Sequence, residues 1–553
     1  MRAFPCRLLL LPGLWCVHAA LAAAPAGGIE GRDLAIPRGG VFEATLSSAD
    51  KLDNPFRDAV ASAVFTAPSG GATRVDGFYF GGAEWRVRFS PREPGPWRFV
   101  ATLVTPGRTN TLTGAFSCEA SGRHGFLRLS PKNRFRMEYD DGTPFYPIGI
   151  QTCNFLHPDF DGPDTNGNWR SVSAQEWVAA FTGAVNLVRT QFGQGTTAGC
   201  ALPLIPRDGP PDRYDTDLAA TIDDVYRLQR QHGFSQILIL FQDMSLWGSG
   251  DGSPTAFGRT RDRKDYKSVH AANLKLQEQY IRYVVARYGC FVDIWEIFNE
   301  DSYAPDDYLA HLAAVIRAAD PYRHIITTNY ARPAAPWCEI ITFHEYMGMP
   351  AEGVDAYLAQ QFGLFKSYGK VVQNTEFGNQ GQLSNDDPVK WRVAVWTAFM
   401  EESGLLFWGM SGRKVPAGTP NPKGNANAYI GPEARQSFRV LNGFVKDLPI
   451  EMRPVAIGYH EQTDIRLSAL SNGARTLVYL HHFADHAKPF ALPYKLQVQV
   501  GPGRYRLRWI DPADGRELQA EELETSQQYL SFRAPPVTVD LACRIDRIGD
   551  SAP

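Results

Sequence analysis

Between roughly Gly125 and Leu448, short β-like runs alternate with helix-like ones, and this alternation constrains the chain more than any other feature. Eight runs follow one another: Phe145–Ile150, Ala184–Gln191, Ser235–Phe241, Val292–Glu300, His324–Tyr330, Ile340–Tyr346, Lys370–Phe377 and Gly404–Met410. Helix-like stretches lie between them, among them Ala174–Phe181, Asp217–His232, Tyr266–Tyr288, Pro305–Ala319, Val354–Tyr368 and Pro388–Glu402. Eight strands in one alternating series predict a closed (β/α)8 barrel rather than an open sheet. In such a barrel the loops after the strand C-termini build the site.

Two of the runs deliver a carboxylate at that end. VDIWEIFNE ends on Glu300, and KVVQNTEFG carries Glu376, 76 positions further on. At ~250 residues per eight units, that spacing amounts to about three β/α repeats, so the glutamates fall on strands four and seven. Two carboxylates facing each other across a barrel mouth suit cleavage of a glycosidic bond with retention of configuration. One attacks the anomeric carbon; the other protonates the leaving oxygen and then activates water.

Strand parity extends the candidate site. Side chains alternate faces with a period of two, which groups Glu296, Phe298 and Glu300, and likewise Asn374 and Glu376. Glu296 would lie ~6–7 Å below Glu300, inside the barrel, as a buried structural carboxylate. Arg189 with Gln191 projects from strand two, His344 and Tyr346 from strand six, and Trp408 ends strand eight. Each has a structural alternative: an ion-pair partner for Arg189, a core position for His344 or Trp408.

Taken together, these residues resemble the (β/α)8 superfamily of retaining glycoside hydrolases, in which an Asn-Glu pair on strand four supplies the acid/base and a Glu on strand seven the nucleophile. Asn299-Glu300 and Glu376 match that pattern over about 320 residues. The resemblance implies that Asn299 holds the sugar 2-hydroxyl and Arg189 supports the nucleophile. It also implies that His344 or Tyr346 orients the nucleophile and Trp408 forms the sugar floor. Trp247, after strand three, and Trp169, after strand one, are further stacking candidates. A carbohydrate substrate and no cofactor or metal follow from the same resemblance.

At 553 residues the chain exceeds a single core, so flanking domains are expected. Residues 36–120 form an all-β module of short alternating runs between Pro/Gly turns, predicted as a β-sandwich. Its F-x-A, NPF, V-x-GFY-x-G, W-x-V-x-F and G-x-W-x-F pattern resembles a domain of unknown function that often precedes sugar-cleaving barrels. Residues 121–448 hold the barrel, and 449–547 return to short strands, a second predicted sandwich. There GRYRLRWIDPADGRE resembles the small β-domain behind apiosidase-like barrels, read here as a domain that braces the barrel.

Residues 1–24 read as a signal peptide: Arg2 and Arg7, an apolar stretch broken by Pro12, Gly13 and His18, and an A-x-A site at Ala20–Ala22. Export to the periplasm or medium is therefore expected, with no membrane span. A net charge of −3 leaves no electrostatic footprint for nucleic acid. Six cysteines beyond the signal are scattered without a C-x-x-C pair, which argues against zinc and for buried thiols. Asp159–Asn168 is rich in oxygen ligands but lacks a full calcium-loop frame, so it reads as a polar loop. Gly248–Gly252 reads as a flexible loop and His481-His482 as too isolated for a metal. Other readings are a non-catalytic carbohydrate-binding or adhesion protein with an idle barrel, and a transglycosylase. Oligomeric state is not legible in the sequence.

Overall fold

The computed structural model describes residues 34–152, 173–194, 202–206, 209–242, 266–302, 304–379, 387–408, 430–458 and 464–550. The chain divides into two compact units. One comprises Met1–Gly125, Arg282–Cys290 and Arg317–Pro321; the other comprises Phe126–Ile281, Phe291–Ile316 and Tyr322–Pro553.

The first unit contains a five-stranded and a three-stranded sheet. Alternating burial in strands such as Phe42–Ser47 and Val60–Thr66 turns one face of each inward. The inward rings meet: Phe42 stacks on Phe116 at 4.5 Å and Phe65 on Phe89 at 4.2 Å between centroids. Arg88 is buried in this unit, paired with Glu43 at 2.5 Å and donating to the Arg287 carbonyl at 2.8 Å.

The second unit holds eight parallel strands in a nearly closed barrel. In chain order they are Ile148–Thr152, Leu187–Gln194, Ser235–Gln242, Ile294–Asn299, Ile325–Thr327, Ile340–Met347, Val371–Asn379 and Gly404–Phe407, strands 1 to 8 below. Ladder hydrogen bonds run in the order 5-4-3-2-1-8-7-6. Strands 5 and 6 meet through other groups. Thr327 Oγ1 donates to the Ile340 carbonyl at 2.9 Å, and Thr342 Oγ1 donates to that of Thr328 at 3.1 Å. Among the described residues the helices are α1 (Ala174–Phe181), α2 (Thr216–Gln231), α3 (Tyr266–Tyr288), α4 (Asp306–Ala319), α5 (Ala351–Lys366), α6 (Pro388–Met400) and α7 (Pro432–Val445). Residues 328–339, which join strands 5 and 6, carry no helix.

The barrel interior is layered along the strands. Near their starts Leu187, Ile237, Ile294, Ile325, Ile340, Val371 and Leu406 form one apolar layer, covered from below by Leu127, Met137 and Phe145. Two residues further along strands 2 and 4 come Arg189 and Glu296, both fully buried. The period of two therefore carries the interior from apolar to charged in one step.

Beyond α7 a six-stranded and a three-stranded sheet share a core that includes Trp509, Leu480, Leu507, Leu530 and Phe532. This β-region rests on α5 and α6 within the same unit. Asp540 pairs with Arg392 of α6 at 2.9 Å and accepts from the Tyr479 hydroxyl at 2.9 Å, while Tyr479 stacks on Trp396 at 5.3 Å. On α5, Asp355 takes Arg466 at 2.6 Å and His481 Nδ1 at 2.7 Å. His481 thus has a structural role in docking. Among the described residues Cys118, Cys290, Cys338 and Cys543 are buried free thiols, and no helix is long and apolar enough to cross a membrane.

Removing one partner of a buried ion pair strands the other charge, at a typical loss of ~3–5 kcal/mol. Asp540→Ala, which leaves Arg392 buried without its carboxylate, should lower stability by about that amount in urea unfolding. A loss under ~1 kcal/mol would mean that solvent reaches the pair freely.

Candidate active site

Strand 2 brings Arg189 to the barrel axis, where its guanidinium is fully buried and every nitrogen is used. Nε and Nη2 grip Glu296 at 2.9 and 2.5 Å, and Nη1 donates to Gln151 Oε1 and to Glu376 Oε1, each at 2.7 Å. Nη2 also donates to Asn299 Oδ1 at 2.7 Å. Burial alone would lower the pKa of Arg189, but Glu296 and Glu376 outweigh it and hold the group above its usual value. Four strands are thereby tied to one cation.

Glu376 reaches this cation through a slip in register. Phe343 pairs with Asn374, yet His344 pairs with Glu376, which leaves Thr375 as an extra residue in strand 7. From Val371 and Gln373, unbroken alternation would have turned residue 375 inward; the bulge turns Glu376 in instead. Asn374 Oδ1 accepts from the Glu376 backbone N–H at 3.2 Å and steadies the bulge. The carboxylate is 5% exposed and takes a second donor, the Tyr346 hydroxyl, at its other oxygen. Burial, with Glu376 next to it, keeps the Tyr346 hydroxyl far above its usual pKa, so it stays a donor.

Strand 4 also departs from simple alternation. Glu296 faces Arg189, but Phe298 packs on Phe241 at 5.3 Å and near Tyr308 of α4 at 6.3 Å, and it is Asn299 that turns to the guanidinium. Glu300 then leaves the strand with φ of +52°, in the left-handed region. Grouping Glu296, Phe298 and Glu300 on one face therefore fails at the strand end, because the ladder stops at Asn299. Glu296 itself is the buried structural carboxylate that parity predicted.

Glu300 has no cation of its own. Burial raises its carboxyl pKa above the ordinary value, with Arg189 pulling weakly the other way. Its Oε1 lies 2.8 Å from His344 Nδ1, and the same nitrogen is 3.4 Å from Glu376 Oε2. Burial depresses the His344 pKa to about 3, with Glu376 opposing and Arg189 assisting, so the imidazole is neutral near pH 7. One carboxylate oxygen from each glutamate and one ring nitrogen of His344 all lie within 4.8 Å of one another. These three groups could also receive a divalent cation, although Glu376 already has Arg189 for its charge.

The structure thus brings together Glu300, Glu376, Asn299, Arg189, His344 and Tyr346. His344 and Tyr346, alternatives in the sequence, both reach the carboxylates. Trp408 is 6% exposed and joins strand 7 through its backbone, its N–H donating to the Phe377 carbonyl at 2.8 Å. Trp247, Trp169, Asp159–Asn168 and Gly248–Gly252 lie outside the described residues. Two contributors were not singled out in the sequence. Gln151 shares Arg189 Nη1 and is a neutral residue whose role depends on strand 1 adjoining strand 2. Gly378 lies so close to the Trp408 carbonyl that a Cβ there would come within 2.2 Å, and within 3.4 Å of the Tyr346 ring. A glycine two residues past the candidate nucleophile is the only signal the sequence offers for that close approach.

Over residues 37–103 the chain matches a family described as a domain of unknown function (DUF5060). No curated protein sequence matches the chain. A crystal structure from Bacteroides vulgatus ATCC 8482, proposed to be of a glycoside hydrolase, aligns with TM-score 0.65 at 18% identity, over 93% of this chain and all of the other. A second structure, described as a glycoside hydrolase, aligns with TM-score 0.50 at 15% identity over 77% of this chain and 97% of its own. A glycoside hydrolase family 5 structure from Bacteroides vulgatus ATCC 8482 gives 0.50 at 14% identity, over 77% and 94%. The fold is therefore a (β/α)8 barrel with additional β-regions, like that of these structures.

A carboxyl whose folded pKa is raised binds its proton more tightly in the native state. Its stabilising contribution is full below the unfolded value and is lost as pH rises through the folded one. Glu300→Gln removes that loss. The variant should unfold at a higher temperature than the parent at neutral pH, with the gap closing as pH falls below the ordinary glutamate value of 4.5. A gap independent of pH would contradict a Glu300 carboxyl whose pKa is raised by partial burial.

Proposed function

We propose that the protein is an exported, retaining glycoside hydrolase that cleaves O-glycosidic bonds of an oligo- or polysaccharide, with Glu376 as nucleophile and Glu300 as acid/base. The observation that carries this reading is the unequal treatment of two carboxylates within 4.8 Å of each other. Glu376 accepts from Arg189 and Tyr346, one at each carboxylate oxygen, which hold it aimed. Glu300 is half-buried without a cation and keeps its proton to higher pH. Carboxyl groups ~5–5.5 Å apart fit double displacement, whereas inversion needs ~6.5–9.5 Å. The signal-like residues 1–24 support export.

In the first step a Glu376 oxygen bonds to the anomeric carbon as the bond to the leaving oxygen breaks, and Glu300 gives that oxygen its proton. Esterification removes the charge on Glu376, so Glu300 is a weaker acid before this step than after it. Ionised Glu300 then takes a proton from water while the water oxygen displaces Glu376. His344 is neutral and adds no charge at either stage. Tyr346 can pass its hydrogen bond from the free carboxylate to the ring oxygen region as the ester forms. The chemistry calls for no cofactor. An intact, asymmetric pair weighs against the idle-barrel reading, since a purely binding barrel gains nothing from both carboxylates.

A screen of aryl glycosides and plant or bacterial polysaccharides, with product configuration read by NMR, tests the reaction. Glu376→Ala should reduce turnover to background on every substrate found. Glu300→Ala should still form the glycosyl-enzyme from substrates with activated leaving groups, accumulate it, and be rescued by azide, which needs no general base. Azide rescue of the Glu376 variant alone would reverse the two roles, and full activity in both variants would dismiss them.

A further inference from the structure

The first unit leaves one sheet face open. Its three-stranded sheet is covered on both sides. Strand Glu84–Phe89 is buried at five successive positions, and Tyr283 and Arg287 of the same unit lie over Phe78, at 6.3 and 5.1 Å from its ring centre. The five-stranded sheet is different: Val60–Thr66 and Gly95–Thr105 alternate buried with outward positions. Such a sheet ordinarily turns polar residues to the solvated side. Here the outward residues are Val60, Ser62, Val64 and Thr66 on one strand, and Arg98, Val100, Thr102 and Val104 on its neighbour. Val60 pairs with Val104 and Val64 with Val100, so four valines form two cross-strand pairs, each residue between 39% and 58% exposed.

The field extends to both sides. Thr109, Thr111, Thr113 and Ala115 stand in register with Val104, Thr102, Val100 and Arg98. Ala72, Arg74 and Asp76 stand in register with Thr66, Val64 and Ser62. The only charged residues among these are Arg74, Asp76 and Arg98, and the first two pair with each other at 3.8 Å. Arg98 lies on the last rung, at the rim.

We propose that this face is the contact between two copies of the chain, packed sheet on sheet about a twofold axis. Valine, threonine, serine and alanine are the short, branched or small side chains that let two sheets approach to ~10 Å with their strands nearly aligned. A face carrying one internal ion pair and one rim cation meets its own copy without burying an unpaired charge at the centre. No ring among these residues offers a stacking surface for a sugar, which weighs against a carbohydrate as the occupant. The area is sufficient for a weak dimer. Four strands ~4.8 Å apart, seven residues long at ~3.4 Å each, with the longer hairpin beside them, give about 600 Å² per copy. Two copies then cover ~1,200 Å², the lower end of the range for specific interfaces.

Sedimentation equilibrium of the full-length protein should show a reversible monomer–dimer equilibrium in the micromolar range. Val64→Arg puts a charge on a central rung of both copies and should raise the dissociation constant at least about a hundredfold. Val100→Thr keeps the β-branched shape at an exposed position, so folding is not at stake, and should raise it about three- to tenfold. Tyr529→Arg, at an exposed position of the other unit, should leave the constant unchanged. Circular dichroism and melting temperature of the dissociated variants should match those of the parent monomer. A parent that stays monomeric throughout, whatever else it binds, would overturn the contact. So would a dimer that Val64→Arg and Val100→Thr leave intact, or one that Tyr529→Arg dissolves equally.

Discussion

One guanidinium holds the centre of this molecule. Arg189 is buried with no exposed surface, and a charge in that position is tolerated only if its donors are all met. They are met by Gln151, Glu296, Asn299 and Glu376, from strands 1, 4 and 7. The dependence is mutual. Glu296 is just as buried, so the loss of Arg189 would leave a carboxylate without a counter-charge in the middle of the barrel. Such clusters add little net stability compared with apolar packing, but they fix geometry, because the planar fork accepts its partners in few arrangements. The strands that carry the candidate catalytic groups are thus locked in register by the group that also tunes one of them.

The difference between the two glutamates follows from that lock. Glu376 is placed at the fork by a bulge, and Glu300 is carried past it by a left-handed turn. The turn at Glu300 lies where the strand 4 ladder ends, whereas the bulge lies within strand 7, whose pairing with strand 6 continues to Asn379. Had strand 7 continued in perfect alternation, Glu376 would have faced the helix layer. His344 sits between the carboxylates as a neutral spacer, since a charged imidazole there would have cancelled the asymmetry.

Much of this was legible in the sequence. Period-two and helical patterns located the eight strands and the helices between them, with α1 and α3 matching residue for residue. Those signals are local, and burial of apolar residues enforces them directly. The site residues were legible through their order along the chain, while their pairings were not. Sequence parity alone put Glu376 with Asn374 on one face, and the extra residue shows only in the pairing of strand 7 with its neighbours, strands 6 and 8. Gln151 carries no local signature and Gly378 only its being a glycine, because each matters through a neighbour remote in the chain. The loops with Trp169 and Trp247 lie outside the described residues, so their part in the site rests on the sequence alone.

The β-region after α7 also bears on the site, through the helices it rests on. Asp540 and Tyr479 engage Arg392 and Trp396 of α6, the helix that leads from strand 7 to strand 8. His481 and Arg466 engage Asp355 of α5, the helix that leads from strand 6 to strand 7. Strand 7, with Glu376, therefore lies between two helices that are each anchored by buried charge. A bulged strand is a local weakness in a sheet, and here the elements on either side of it are the ones held from outside the barrel. Closing strands 5 and 6 partly through threonine hydroxyls makes the other half of the ring less tightly laddered. That half carries the Glu300 turn, while Glu376 lies on the strand flanked by the two anchored helices.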